Sequence, residues 1–99
     1  MKFELQSTQT FDRWLSSLKN GTVKNQLLSR FARLENGHFG DFKPLEENLF
    51  ELRCFFGGGL RVYYTIRQKQ IVLLLAGGDK SSQSRDIEKA KDLLKTLRN

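Results

Sequence analysis

A chain of 99 residues, 38% hydrophobic and 28% charged, can bury roughly 65% of its unfolded surface around one core and is too apolar for a disordered tail. Its longest apolar run, Ile71 to Ala76, falls far short of the ~20 residues of a bilayer crossing, and Met1 to Phe11 lacks a signal-peptide core. One cytoplasmic domain spanning residues 1–99, with no membrane segment, is therefore expected. Seventeen Lys and Arg against eleven Asp and Glu leave a net charge of +6 and a pI near 9.8. Such a field attracts RNA, DNA or an acidic protein segment, although a charge of this size also serves solubility alone.

Phe3 to Gln6 alternates weakly and reads as a short first strand. Phe11, Trp14, Leu15 and Leu18 then recur at helical spacing behind a Thr10 cap, and Asn20-Gly21 reads as a left-handed stop. Thr22 caps a second helix with Val23, Leu27, Phe31 and Leu34 on one face, ended by Gly37. The two make a hairpin. Residues His38 to Asn48, broken by Gly40 and Pro44, hold neither period and read as a loop.

Phe50 to Phe56 alternates, with Phe50, Leu52, Cys54 and Phe56 apolar, and Leu60 to Arg67 repeats the pattern after Gly57-Gly58-Gly59. A three-residue glycine loop would set 56 against 60, 54 against 62 and 52 against 64, which matches apolar to apolar throughout. On the far face the same register sets Arg53 opposite Tyr63 and Phe55 opposite Arg61. Gln68-Lys69 turns into the apolar strand Gln70 to Gly77, a run whose continuity predicts cover on both sides. Arg61 then falls opposite Ala76, which makes it a neighbour of Lys80 in the loop beyond. A last helix from near Ser82 or Ser84 packs Ile87, Ala90, Leu94 and Leu97 on the sheet and keeps Lys89, Lys91, Lys95 and Arg98 wet. The expected fold is α+β: a helix hairpin on a small antiparallel meander sheet with a C-terminal helix.

Arg53, Arg61, Tyr63 and Lys80 form the constellation with chemistry. Arginine offers a planar fork to phosphate, lysine a point charge, and an exposed tyrosine ring a surface for a base. The same alternation also suits a plain solvated sheet face. Gly77-Gly78-Asp79-Lys80-Ser81 lacks the spacing of a nucleotide-triphosphate loop. His38 stands alone in a loop, Cys54 and Trp14 lie on core faces, and Glu46-Glu47 reads as a solvated pair. No metal-ligand spacing and no cofactor motif occur.

The order Glu51-Leu52-Arg53, Gly59-Leu60-Arg61-Val62-Tyr63-Tyr64, then Leu74 to Gln83 with Asp86-Ile87 and Ala90, resembles the RelE/ParE superfamily of bacterial toxins, in particular its phage-derived HigB-like addiction-module branch. The resemblance runs over nearly the whole chain. It implies a type II toxin neutralised by a cognate antitoxin, often of helix-turn-helix type, and cleavage of mRNA on the ribosome. Members that cut RNA place basic residues where Arg61 and Lys80 stand, so the resemblance implies these two as site residues, and the strand alternation adds Arg53 and Tyr63 to them. The chain departs from the pattern at Ser81, where a second basic residue is frequent, and in the tail Leu97-Arg98-Asn99, which has no Tyr or His; general acid and base stay unassigned. A non-catalytic inhibitor of DNA gyrase and a nucleic-acid-binding module without catalysis remain open.

Overall fold

The computed structural model describes residues 2–98, without the side chain of Arg98; the readings of Arg98 as a wet side chain and of the tail at Asn99 lie outside the described residues. The elements run β1 (Glu4–Ser7), α1 (Gln9–Ser17), α2 (Gly21–Glu35), β2 (Phe42–Glu46), β3 (Leu49–Arg53), β4 (Arg61–Arg67), β5 (Ile71–Gly78), a 3-10 turn (Lys80–Ser82) and α3 (Gln83–Arg98).

The starts of α1 and α2 are set by side-chain caps. Thr8, two residues ahead of the predicted Thr10, accepts from the Phe11 amide at 3.0 Å, and its hydroxyl donates to the Leu75 carbonyl at 2.7 Å. One threonine thus caps α1 and ties it to β5. Asn20 caps α2 by accepting from the Val23 amide, and its φ of −82° makes it an extended N-cap, not the left-handed stop expected there. Gly37, at φ +83°, closes α2 as expected.

The five strands are ordered β1-β5-β4-β3-β2. Strands β2 to β5 form the antiparallel meander, and β1 joins β5 in parallel, so the sheet is mixed. Strand β2 occupies part of the predicted loop. It is an edge strand with a pairing irregularity between Pro44 and Glu46, the one kind of position where proline's missing N–H costs no ladder bond.

Two registers differ from expectation. Strand β3 pairs with β4 so that Leu52 faces Val62, Glu51 faces Tyr63 and Arg53 faces Arg61. The glycine turn is longer than the triplet: the Cys54 amide bonds to the Leu60 carbonyl at 2.9 Å, and Phe55 to Gly59 form the loop. Gly57, Gly58 and Gly59 all take positive φ (60°, 78° and 86°), a run that only glycine adopts without strain. Relative to the expected pairing the slip is two residues, so every side chain keeps its face. Between β4 and β5 the turn takes three residues, Gln68 to Gln70, where two were expected, and a bulge at Tyr63/Tyr64 adds one more step, so that Arg61 lies opposite Gly78 and not Ala76.

Both sheet faces are covered. Phe11, Leu27, Phe31, Leu52, Val62 and Tyr64 are among the residues that fill the layer between the sheet and the α1–α2 hairpin. Leu49, Tyr63, Leu73, Leu75, Ala90 and Leu94 are among those that fill the layer under α3. The run Ile71 to Ala76 feeds both, as its continuity requires, with Val72 and Leu74 in one layer and Leu73, Leu75 and Ala76 in the other. Leu97, expected on the packed stripe of α3, is exposed.

Candidate functional site

On the α3 side of the sheet, alternation aims Glu51 and Arg53 from β3 and Arg61 and Tyr63 from β4 at one region. At the edge of the α3 layer, apolar residues give way to a buried carboxylate. Glu51 is 1% exposed; its Oε1 lies 3.9 Å from Arg61 Nε and 4.0 Å from Arg53 Nε, and its Oε2 accepts from Gln83 Nε2 at 2.7 Å. Three elements converge on this one side chain.

Arg61 is 5% exposed. Its Nη1 donates to the carbonyls of Gly59 and Leu60, both at 3.2 Å, which with Glu51 fixes the guanidinium plane. Lys80 is exposed, and its stem lies across Gly59, where an added Cβ would sit 3.1 to 3.3 Å from three of the lysine carbons. Arg61 and Lys80 thus meet at Gly59, as neighbours, despite the change of register. Arg53, with 39% of its side chain exposed, stands beside them and faces Arg61 across the ladder in place of Tyr63.

Tyr63 is placed differently from expectation. Its ring is fully buried under α3 and offers no surface for a base. Its hydroxyl lies near Glu51 without a geometrically sound hydrogen bond, and burial, reinforced by the negative charges of Glu51 and Asp86, pushes the phenol well above its usual range. The wet face expected for this strand is closed by the last helix.

The turn that carries Lys80 is held from below. Asp79 caps it, accepting from the Ser81 hydroxyl at 2.6 Å and from the Ser81 and Ser82 amides, and these bonds hold its carboxyl below the usual range. Ser81, at the position where a basic residue was noted as frequent, is therefore a fastener of the turn. Ser82 bonds onward to Asp86, which is 5% exposed and lies directly over Gly78; a Cβ there would meet the Asp86 carboxylate.

Glu51 and Gln83 are the members that sequence reasoning did not single out as site residues. The parity of Glu51-Leu52-Arg53 already put the acid on the face of the arginines; Gln83 carried no signal of its own. Cys54 is buried in the hairpin layer, its thiol pushed up by desolvation, and His38 is exposed. Among the described residues no group of three or more His, Cys, Asp or Glu is arranged to hold a metal ion, and no helix is long and apolar enough to cross a membrane. A separate cleft of about 780 Å³ opens between α1 and the start of α3, lined by Arg13, Trp14, Gly77, Arg85 and Lys89 among others. It touches the Lys80 turn at Asp79 and Ser82 and the glycine loop at Gly57 and Leu60, but none of Arg53, Arg61 or Lys80 lines it.

The family described as phage-derived protein Gp49-like matches residues 13–95. The chain belongs to that family. An uncharacterized protein of Haemophilus influenzae is 45% identical to this Gp49-like protein over 97 residues, covering 98% of each chain. Among solved structures, a free-state mutant of the Escherichia coli toxin RelE matches with a TM-score of 0.69 at 16% identity, covering 90% of this chain and 98% of that one. The toxin–antitoxin complex RelBE2 of Mycobacterium tuberculosis matches at a TM-score of 0.65 and 21% identity, covering 81% and 100%. The Gp49-like chain thus has the fold of the RelE toxins, the fold that the motif order led one to expect.

Proposed function

We propose that this Gp49-like protein is the toxin of a type II toxin–antitoxin pair and that it cleaves mRNA on the ribosome. The observation that carries the reading is the meeting of Arg61 and Lys80 at Gly59, with Arg53 alongside and Glu51 behind. Similarity to a RelE toxin and to a toxin–antitoxin complex supports the toxin role and a cognate antitoxin as partner.

The chemistry that fits is attack of a ribose 2′-hydroxyl on the adjacent phosphorus. The 2′-oxygen loses its proton and bonds to phosphorus, the bond to the 5′-oxygen breaks, and that oxygen takes up a proton; the products are a 2′,3′-cyclic phosphate and a 5′-hydroxyl end. Through the phosphorane, charge builds on the non-bridging oxygens. A guanidinium already fixed by Glu51 and two carbonyls meets that charge without reorganising, which is where preorganised donors contribute most. Lys80 adds a mobile point charge, and Arg53 holds a flanking phosphate. In this reading Tyr63 supports Arg61 from within the core.

Expression from a tightly repressed promoter, with mRNA 5′ ends mapped by primer extension as growth is followed, tests this. Cuts within translated codons, absent in a folded Arg61→Ala/Lys80→Ala protein, are expected. Growth arrest with loss of DNA supercoiling and no cuts would replace the nuclease with a gyrase inhibitor. Absence of arrest, with salt-sensitive RNA or DNA binding, would leave a binding module without catalysis.

A further inference from the structure

With Tyr63 sealed under α3, the strands leave the cation cluster without an aromatic surface, yet the β3–β4 loop supplies one. Phe55 is 79% exposed, well above the 42% of Phe42 and the 48% of Leu28. It makes no ring contact among the described residues, whereas Phe39, Phe42, Phe50 and Tyr64 touch one another ring to ring. A lone exposed apolar side chain is ordinary on a protein surface; its place in the fold is what gives this one content.

The amide of Cys54 bonds to the Leu60 carbonyl, so the ladder continues one residue beyond β3. Cys54 is buried in the hairpin layer and Phe56 packs against that same layer. Alternation therefore sets Phe55 on the opposite side, the side of Arg53 and Arg61. Arg53 precedes it by two residues, about 7 Å along an extended chain. After Phe56 the loop is closed by bonds from the Gly59 and Leu60 amides to the Phe56 carbonyl, and Gly59 carries the Lys80 stem. Phe55 stands where the loop leaves a hairpin whose two legs bear Arg53 and Arg61, and Lys80 reaches the other end of that loop at Gly59 from the turn after β5.

We propose that Phe55 is a nucleobase platform: the base of a single-stranded nucleotide lies on its ring while Arg53 and Lys80 hold the adjoining phosphodiester. Cations spaced around an exposed ring match the alternation of base and phosphate along a single strand, and stacking on an aromatic face tolerates any base. The inference rests on the nucleic-acid reading above and adds to it the residue that holds the base.

The test is single-turnover cleavage of a short mRNA on ribosomes with an empty A site, by wild type, Phe55→Ala, Phe55→Leu and Phe55→Trp. Because the ring is exposed, all four should melt together. Cleavage should slow about tenfold or more in the Ala and Leu proteins, in keeping with the usual contribution of one stacked base, and recover in the Trp protein. An mRNA with one abasic nucleotide at the stacked position should be cut equally slowly by wild type and Phe55→Ala. Wild-type rates in Phe55→Ala and Phe55→Leu would overturn the platform and leave the nuclease reading intact. No cleavage by wild type would overturn both. A Phe55→Ala protein that cuts normally but releases its antitoxin would make the ring a protein anchor and overturn the base assignment.

Discussion

Removing the Glu51 carboxylate should unlock the whole site, and the structure sets the scale. Glu51 is 1% exposed and its Oε1 lies 3.9 Å from the Nε of Arg61, which is 5% exposed. At that separation and an effective dielectric near 20 the attraction is about 4 kcal/mol. Deleting one partner of a buried pair costs about 3–5 kcal/mol, because the other charge is stranded. Arg53, 39% exposed, adds under ~1 kcal/mol, and the lost Gln83 bond about 1.5 kcal/mol or more. Glu51→Ala should therefore lose about 5 kcal/mol, a large share of the ~5–15 kcal/mol of a small domain. The expected fall in Tm is roughly 20 °C. Glu51→Gln, which keeps an acceptor for Gln83, should lose less. Urea unfolding of Glu51→Ala, Arg61→Ala and the double variant, followed by circular dichroism, closes the cycle. A coupling of about 2 kcal/mol is expected; losses that add within ~0.5 kcal/mol would show that Glu51 does not act through Arg61.

Tyr63→Phe removes a buried hydroxyl that has no sound partner, so stability should change by less than about 1 kcal/mol and toxicity should persist; loss of mRNA cleavage at unchanged Tm would return the phenol to the chemistry. Gly77→Ala would drive a methyl group into the Trp14 ring, which should cost about 1–3 kcal/mol of overpacking and shift the fluorescence of Trp14, the chain's one tryptophan; an unchanged spectrum would contradict that packing. Asp79 is held below its ordinary 3.8 by bonds from Ser81 first. Its folded value is depressed, so its contribution to the Lys80 turn is complete above 3.8 and is lost as pH falls through the lower folded value. The Ser81 and Ser82 amide resonances should titrate with a midpoint below 3.8, and one at or above it would refute the cap.

What the sequence disclosed and withheld follows from parity. Alternation with a period of two assigns a face to each strand residue, and a register slip of two leaves faces untouched. Arg53 and Arg61 were therefore legible as companions, although their partners across the ladder were not. The slip came from reading three glycines as the whole loop; three successive positive φ values need Phe55 and Phe56 to complete the turn. Strand β2 was invisible because an edge strand with Pro44 and almost wholly exposed side chains has no alternation to detect. Tyr63 was misplaced for a different reason. The stripe Ile87, Ala90 and Leu94 does pack on the sheet, and the helix that carries it buries the middle of the face and leaves only its edge for cations. Pattern alone locates such a boundary poorly, since Glu51, Arg61, Tyr63 and Thr65 all fall on its buried side.

That boundary bears on how the proposed chemistry would divide between the cations. Arg61 is buried, faces a carboxylate and donates to two carbonyls, so its charge is partly compensated and its position fixed. Lys80 is exposed, its stem resting on Gly59 and its turn pinned by Asp79. A fixed donor serves best where the geometry of the charge is the same in every turnover, at a non-bridging oxygen of the phosphorane. A lysine with free torsions serves better where charge moves as a bond breaks, at the departing 5′-oxygen. The two basic residues are then not interchangeable. Arg61→Lys, which cannot donate at once to both carbonyls and face Glu51 in one plane, should lose cleavage nearly as fully as Arg61→Ala. Lys80→Arg, on an open surface, should keep a substantial part. Equal tolerance of the two exchanges in the mRNA cleavage assay would overturn this division.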